Sequence, residues 1–320
     1  MCKDILILLW NGCVTMEKLL ESIIESNLKY TDEGKVASYI PELSKANPKD
    51  LGICVISLDG KQYTAGDYNR KFTLQSITKV VSLIIAILDN GKKNVFSKVG
   101  MEPTGDSFNS IVSLEVKTPD KPFNPMINAG AIATTALITG KSVEDRMDKI
   151  LEFTRKVTGN PDIDYNKDVY LSEKATGDRN RALAYFMKSN RLLDGDVEEI
   201  LDLYFRQCSL EGTCVDIAKI AAMLANDGIL PWSGERIISR EVSRIVKTIM
   251  VTCGMYDESG EVAVHIGIPA KSGVGGGIMA AVPRRIGIGV YGPSLDEKGN
   301  SIAGMRVLTD LSDELDLSIF

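Results

Sequence analysis

A serine and a lysine three residues apart, Ser76 and Lys79, are the residues whose types and spacing first suggest chemistry. Side chains at i and i+3 share one face of a helical turn, so a helix that begins here holds the hydroxyl and the amine side by side. Residues 77–90 are apolar on nearly every face, which predicts a buried helix. Burial lowers the pKa of a lysine, and a neutral amine beside a hydroxyl can act as its base. The motif therefore predicts a serine nucleophile that needs no histidine.

The plainer interpretation is that Ser76 caps a helix and Lys79 reaches solvent, because Ser-x-x-Lys occurs by chance in many chains. A second motif, Lys-Ser-Gly at residues 271–273, favours the catalytic interpretation. In serine penicillin-recognising enzymes such a motif accompanies Ser-x-x-Lys. Apolar residues alternate over Val262–Ile268, which predicts a strand just before it. Glycines at 275–277 allow a close approach of substrate to the backbone.

Composition excludes several other functions. The single histidine, His265, rules out any site built on two imidazoles, and its place in the predicted strand indicates a structural or surface residue. A net charge of −6 argues against nucleic acid or an anionic membrane as the partner. No apolar run reaches the ~20 residues that span a bilayer. Six scattered cysteines without C-x-x-C, and no signal-peptide pattern, predict a cytoplasmic chain with reduced thiols and no metal site.

Strand patterns occur at both ends of the chain and helical patterns fill the middle. Asp59-Gly60 separates two extended runs, and Pro283-Arg284 separates two more, so two hairpins are predicted. With the 262–268 strand this makes about five strands. We therefore predict an α+β fold, an antiparallel five-stranded sheet flanked by helices, with a second, helical domain.

The same patterns predict how the chain divides. Residues 1–67 and 231–320 are assigned to the α/β domain with the sheet, and residues 68–230 to the helical domain. An amphipathic helix pattern opens at Met16. Residues 1–15 precede it and are predicted to be either a start-site artefact or a loose extension.

Six blocks of sequence resemble a known family, and they run in that family's order. They cover residues 34–43, 74–79, 124–132, 172–180, 252–256 and 271–277. Because of these six blocks together, the chain from about Met16 onward resembles the serine-dependent glutaminases, which have the β-lactamase/transpeptidase-like fold. Each lysine motif alone is weak, but the set is highly specific.

The resemblance implies that the chain hydrolyses L-glutamine to L-glutamate and ammonia through a γ-glutamyl ester on serine. Ser76 would be the nucleophile, Lys79 the general base and Tyr256 the proton relay. The backbone N–H groups of Ser76 and Val274 would form the oxyanion hole, a type of donor pair typically worth ~3–4 kcal/mol per donor. The family needs no cofactor, and it suggests a homodimer or homotetramer.

The resemblance also implies which residues bind the substrate. They are Ser76, Tyr256 and Val274 together with Tyr39, Asn128, Glu173, Asn180 and Tyr204. The residue types suit a free amino acid. Glu173 offers a carboxylate to the α-ammonium group, and the amides and hydroxyls offer neutral donors to the α-carboxylate. Without the resemblance, a role in a turn, a cap, the surface or packing would explain Asn128, Glu173, Asn180, Tyr204 and Tyr256 better.

Two other functions share some of these features. A penicillin-binding protein or β-lactamase carries both lysine motifs, but it works outside the cytoplasm, and this sequence has neither an export signal nor Ser-Asp-Asn. A catalytically inactive ligand sensor on the same fold is the third possibility. Retention of both Ser76 and Lys79 counts against it.

Overall fold

The computed structural model describes residues 7–9, 12–105, 107–110 and 121–320. The predicted extension, residues 1–15, lies partly outside the described residues. Within it, β1 (Ile7–Leu9) pairs antiparallel with β2 (Gly12–Val14). Helix α1 (Met16–Asn27) begins where the apolar pattern predicts, and the Thr15 side chain accepts a hydrogen bond from the first turn.

Five strands form one antiparallel sheet, as predicted. In chain order they are β3 (Gly52–Ser57), β4 (Gln62–Gly66), β7 (Ala270–Ser272), β8 (Gly277–Val282) and β9 (Ile286–Tyr291). Their order in space is β4-β3-β9-β8-β7, so both ends of the chain contribute and β7 lies at an edge. A separate two-stranded ladder joins β5 (Phe72–Thr73) to β6 (Glu211–Gly212).

One predicted strand is wrong. Residues 262–268 do not extend; Ser259–His265 form a helix, and the fifth strand is the shorter β7 that follows. Val262 and Ile266 are buried four residues apart, whereas Val264 between them is 79% exposed. The burial therefore has helical period, and the alternation of apolar residue types was accidental. The Lys-Ser-Gly motif still begins on an edge strand, because β7 carries Lys271 and Ser272.

Eleven α-helices lie in the described part of the chain. After α1 they are α2 (Thr78–Lys98), α3 (Asn128–Ala136), α4 (Val143–Thr158), α5 (Lys167–Thr176), α6 (Asp178–Ser189), α7 (Val197–Cys208), α8 (Cys214–Ala225), α9 (Arg240–Cys253), α10 (Ser259–His265) and α11 (Ile302–Leu315). Most follow the helical patterns of the sequence. None of them is long and apolar enough to cross a membrane.

Helices cover both faces of the sheet. Alternate residues of β3 point to opposite sides: Ile53 and Val55 pack with α1 and α11, whereas Cys54 and Ile56 pack with α2 and α8. Helix α8 lies very close to β9, because a Cβ at Gly287 would stand 2.1 Å from the backbone nitrogen of Ala222.

A third apolar cluster joins α3, α6 and α7 and holds the helical part of the chain together. Helix α8 belongs by sequence to the predicted helical domain, residues 68–230, and lies against the sheet. The division into residues 1–67 with 231–320 and residues 68–230 stays a prediction.

Candidate active site

Ser76 lies in a 3₁₀ turn, Gln75–Ile77, that runs directly into α2. The backbone of Gln75 has φ 49°, a left-handed conformation that a non-glycine residue rarely adopts. The preceding residue is tied to the neighbouring chain by the hydrogen bond from the Leu74 N–H to the Leu210 carbonyl, at 2.7 Å. Ser76 lines a cavity although it is only 8% exposed.

Six of the predicted site residues line that cavity. They are Tyr39, Ser76, Asn128, Glu173, Asn180 and Tyr204. The other three lie against its wall: the Lys79 amine bonds to Asn128, and Tyr256 is close to both Ser76 and Val274. Residues spread over more than 230 positions of sequence are therefore brought together, at the junction of the helical part and the sheet edge.

Lys79 is fully buried one helical turn from Ser76. Its Nζ donates to the Met126 carbonyl at 3.0 Å and to Asn128 Oδ1 at 2.7 Å. Burial lowers the pKa of Lys79 to about 8, although Cys208 and Glu173 act in the opposite direction. A substantial fraction of neutral amine is therefore present in mildly alkaline solution.

Glu173, on α5, supplies the acid of the cavity. It is 5% exposed, and its Oε2 has no hydrogen-bond partner among the described residues. Burial raises the pKa of Glu173 to about 8, opposed by the Gln75 amide, the Lys79 amine and Cys208. A buried carboxylate oxygen without a partner is costly, and a cationic ligand would relieve that cost.

Two amides connect the lysine to the rest of the cavity. Asn128 is the first residue of α3, and its Nδ2 donates to Asn180 Oδ1 at 2.9 Å. Asn180 lies in the first turn of α6. The backbone N–H of Asn128 donates to the Phe108 carbonyl at 2.8 Å, which fixes the start of α3.

Two tyrosines flank Glu173. Tyr204, on α7, is buried, and this burial, followed by the nearby Cys208 and Glu173, raises its pKa well above the usual value. Tyr39 is 57% exposed, yet burial of its hydroxyl end beside Tyr256 and Glu173 raises its pKa as well. Both phenols therefore stay protonated and able to donate, with Tyr39 at the mouth of the cavity.

Tyr256 opens a 3₁₀ turn with φ 53° and is held from two sides. Its ring lies 4.7 Å from the Phe108 ring, and the Lys271 Nζ lies 4.5 Å from its centroid. Burial raises the pKa of Tyr256, whereas Ser76 and the Val274 N–H lower it. These groups come near the hydroxyl, but none completes a hydrogen bond within the described part of the chain.

The loop after β7 carries Val274 and packs on the segment that leads to Ser76. A Cβ at Gly275 would stand 2.2 Å from the Thr73 carbonyl oxygen, so only glycine permits this approach. The backbone N–H of Val274 and the side chain of Ser76 both lie near the Tyr256 hydroxyl. The role of this N–H in an oxyanion hole stays a prediction.

Three residues outside the predicted set of site residues also shape the site: Gln75, Cys208 and Lys271. Lys271 is fully buried, and its Nζ donates to the Gly254 carbonyl at 2.9 Å and to the Ser272 carbonyl at 2.6 Å. It therefore supports Tyr256 from behind. The Lys-Ser-Gly motif was the available signal for it; Gln75 and Cys208 gave none. Among the described residues, no group of three or more His, Cys, Asp and Glu side chains could hold a metal ion.

The α+β architecture, with its five-stranded antiparallel sheet and buried serine-lysine pair, is the β-lactamase-like fold. Comparison with known proteins shows which family with this fold the chain belongs to. A sequence model of the family described as Glutaminase matches residues 34–320. The chain belongs to the glutaminase family and is thus an enzyme of the amidohydrolase class.

Curated relatives and solved structures agree with this family assignment. Glutaminase 2 of Clostridium perfringens is 70% identical over 305 residues, which cover 95% of this chain and all of the relative. A glutaminase of Clostridium botulinum is 65% identical over the same lengths. The structure of a Bacillus glutaminase, 42% identical, superposes with a TM-score of 0.89 over 95% of this chain and 99% of that one. A Bacillus subtilis glutaminase in covalent complex with 5-oxo-L-norleucine is 40% identical, with a TM-score of 0.87 over 95% of this chain and 99% of that one.

Proposed function

We propose that this enzyme hydrolyses L-glutamine to L-glutamate and ammonia through a γ-glutamyl ester on Ser76. The observation that carries the proposal is that a cavity with an unpartnered buried carboxylate oxygen has, bonded to Asn128 in its wall, a buried lysine of lowered pKa. The lysine suits a base beside Ser76, and the carboxylate suits the α-ammonium group of a free amino acid. The covalent complex of the Bacillus subtilis relative supports a nucleophile in the corresponding cavity.

Acylation begins when Ser76 Oγ attacks the side-chain carbonyl carbon of glutamine and its proton passes to the neutral Lys79 amine. The oxyanion is then stabilised by the N–H groups of Ser76 and Val274. The carbon–nitrogen bond breaks, and ammonia leaves after Tyr256 relays a proton to the departing nitrogen. The γ-glutamyl group remains on Ser76 as an ester.

Deacylation repeats these steps with water. Lys79 takes a proton from the attacking water, the ester bond to Ser76 breaks, and the proton returns to Oγ. Glutamate leaves and the enzyme is restored. The unpartnered hydroxyl of Tyr256, close to Ser76 and Val274, supports its role in relaying the proton in both half-reactions.

Recognition of glutamine would use its charged α end. Glu173 would bind the α-ammonium group through Oε2, and Asn128, Asn180 and Tyr204 would donate to the α-carboxylate. Tyr39 would close over the substrate from the cavity mouth. Peptides and lactams lack this pair of charges, so we expect them to be poor substrates.

The experiment is a parallel ammonia assay on glutamine and asparagine, with a coloured cephalosporin as the alternative substrate. Rapid release from glutamine and loss of that release in Ser76→Ala, with unchanged circular dichroism, would support the proposal. Cephalosporin turnover without glutamine hydrolysis would reject it, and so would substantial activity in pure Ser76→Ala protein.

We also infer that the enzyme works in the cytoplasm as a homodimer or homotetramer. The cytoplasmic assignment is supported by the free, buried thiols of Cys54, Cys208, Cys214 and Cys253. The oligomeric state follows only from the family resemblance. Light scattering on the purified enzyme measures it directly, and a monomeric mass would reject it.

A further inference from the structure

A second surface cavity, of about 220 Å³, lies between α9, the turn that joins β8 to β9, and the C-terminal segment. It shares no lining residue with the glutamine cavity. Four basic side chains and one acidic side chain face it, together with several apolar ones. Nothing in glutamine hydrolysis uses these residues.

Helix α9 supplies three of the basic residues. Arg240, Arg244 and Lys247 line the cavity with Val251 further along the helix. Their spacing of three or four residues places them along one face of α9. The positive charges therefore form a row that follows the helix axis.

The fourth basic residue comes from the opposite wall. Arg284 lies in the β8–β9 turn with φ 60°, a left-handed conformation that favours glycine. Its backbone N–H donates to the Ala225 carbonyl at 2.9 Å, which ties the turn to the end of α8. An arginine is thus held in a strained turn position at the edge of the cavity.

One carboxylate faces the cavity together with these four positive charges. Asp227 contacts the Lys247 Nζ and the Arg240 Nε, each at 3.2 Å. Arg244 and Arg284 make no ion pair within the part of the chain that the structure describes. The local excess of positive charge is notable because the whole chain carries a net charge of −6.

The basic groups act on one another across the cavity. Lys247 is only 7% exposed, and burial lowers its pKa, with Arg284 and Arg240 adding to the effect and Asp227 opposing it. An anion between α9 and the turn would reverse this repulsion. Arginine side chains bind phosphate oxygens in a bidentate manner, which favours phosphate over a singly charged ligand.

The rest of the wall is apolar: Val251, Pro269, Pro283 and Ile319. We propose that this cavity is a binding site for a phosphate group, carried by a phosphate monoester whose organic part packs on the apolar wall. Free inorganic phosphate offers the same charge without that packing. The two sources are therefore distinguishable by affinity.

The test is calorimetric titration of the native enzyme, without glutamine, at an ionic strength held constant with sodium chloride. The probes are adenosine 5′-monophosphate, inorganic phosphate and uncharged adenosine. We expect the monophosphate to bind, phosphate to bind more weakly and adenosine not to bind. Binding of phosphate and monophosphate with equal affinity would reject the monoester as the ligand and leave inorganic phosphate in its place.

Two variants locate the binding. Arg244→Gln and Arg284→Gly each remove a charge at an exposed position, and glycine suits the backbone of residue 284. Each should weaken binding of the monophosphate about tenfold or more, the range of a charge-assisted hydrogen bond. Arg191→Gly is the matched control, an exposed arginine with φ 60° outside the cavity, and should leave binding unchanged.

Two further results would overturn the proposal. One is that neither phosphate compound binds; the other is that both variants bind as tightly as the native enzyme. Because the readout is binding in the absence of glutamine, neither result bears on the proposed hydrolysis.

Discussion

The side-chain nitrogen of Lys79 lies 2.7 Å from Oδ1 of Asn128. The proposed general base is thus bonded to a residue proposed to bind the α-carboxylate of glutamine. Its partner is a neutral amide, which does not hold the ammonium form as a carboxylate would. Burial therefore lowers the pKa of Lys79 to about 8 without an adjacent carboxylate to oppose it as strongly as a direct ion pair would, and the contact with Asn128 fixes the direction of the amine.

The first prediction concerns the pH dependence of the native enzyme. The base requires neutral Lys79 and the ammonium site requires ionised Glu173, and the pKa of each is about 8. Both groups are protonated below that value, so kcat/KM should rise steeply from pH 6 to pH 8 and then level off. Ammonia release measured across this range checks it. A flat profile would show that neither group titrates in the reaction.

Asn128→Asp should move that profile. A carboxylate 2.7 Å from the Lys79 amine stabilises the ammonium form and raises the pKa of the lysine by about one to three units. We expect kcat at neutral pH to fall and to recover partly in more alkaline solution. Asn190→Asp adds the same charge at an exposed position of the chain and should not shift the profile. If the pH profile of Asn128→Asp is not shifted, the protonation state of Lys79 does not control the reaction.

Glu173→Gln should act mainly on binding. The amide cannot offer a charge to the α-ammonium group, so KM for glutamine should rise about 10- to 100-fold with a smaller change in kcat. Steady-state kinetics measure both. Asp178→Asn, which removes a carboxylate that is 93% exposed nearby on α6, is the control. A native KM in Glu173→Gln would mean that the ammonium group binds elsewhere.

Gly275→Ala should damage the oxyanion hole. Its Cβ would lie 2.2 Å from the Thr73 carbonyl oxygen, so the loop that carries Val274 must move away from Ser76. Loss of one backbone donor typically lowers kcat about 10²- to 10³-fold. Gly260→Ala, whose Cβ meets no atom within 4 Å, is the control. If Gly275→Ala folds with native kcat, the Val274 N–H has no part in the reaction.

Much of the fold was readable from the sequence because its signals are local. The Asp59-Gly60 hairpin and the apolar run that became α2 each depend on neighbouring residues. Val262–Ile268 failed because its residue types alternate by accident while its burial follows the helical period. Nothing in one sequence shows which of two periods its tertiary contacts will select.

The arrangement of the site was harder to predict from the sequence than the fold, for a different reason. Ser76 and Lys79 share one helical turn, so their proximity follows from their spacing. The support of Tyr256 by Lys271 depends on how β7 packs behind a 3₁₀ turn fifteen residues earlier in the chain. The segment just before Ser76 is likewise held by a hydrogen bond from Leu74 to Leu210, far along the sequence. Such relationships appear only once the chain has folded.

The central claim is that Ser76 forms the covalent intermediate, and chemical trapping tests it most directly. In the glutamine analogue 6-diazo-5-oxo-L-norleucine the diazo carbon takes up a proton, and a nucleophile that attacks this carbon then displaces nitrogen gas. The attacking residue keeps the 5-oxo-L-norleucine group. The measurement is peptide mass spectrometry of the native enzyme after complete inactivation by this reagent. We predict one adduct per chain, on the hydroxyl of Ser76, and none in Ser76→Ala. Inactivation with the adduct on Cys208, Lys79 or Tyr256, and Ser76 unmodified, would contradict the account.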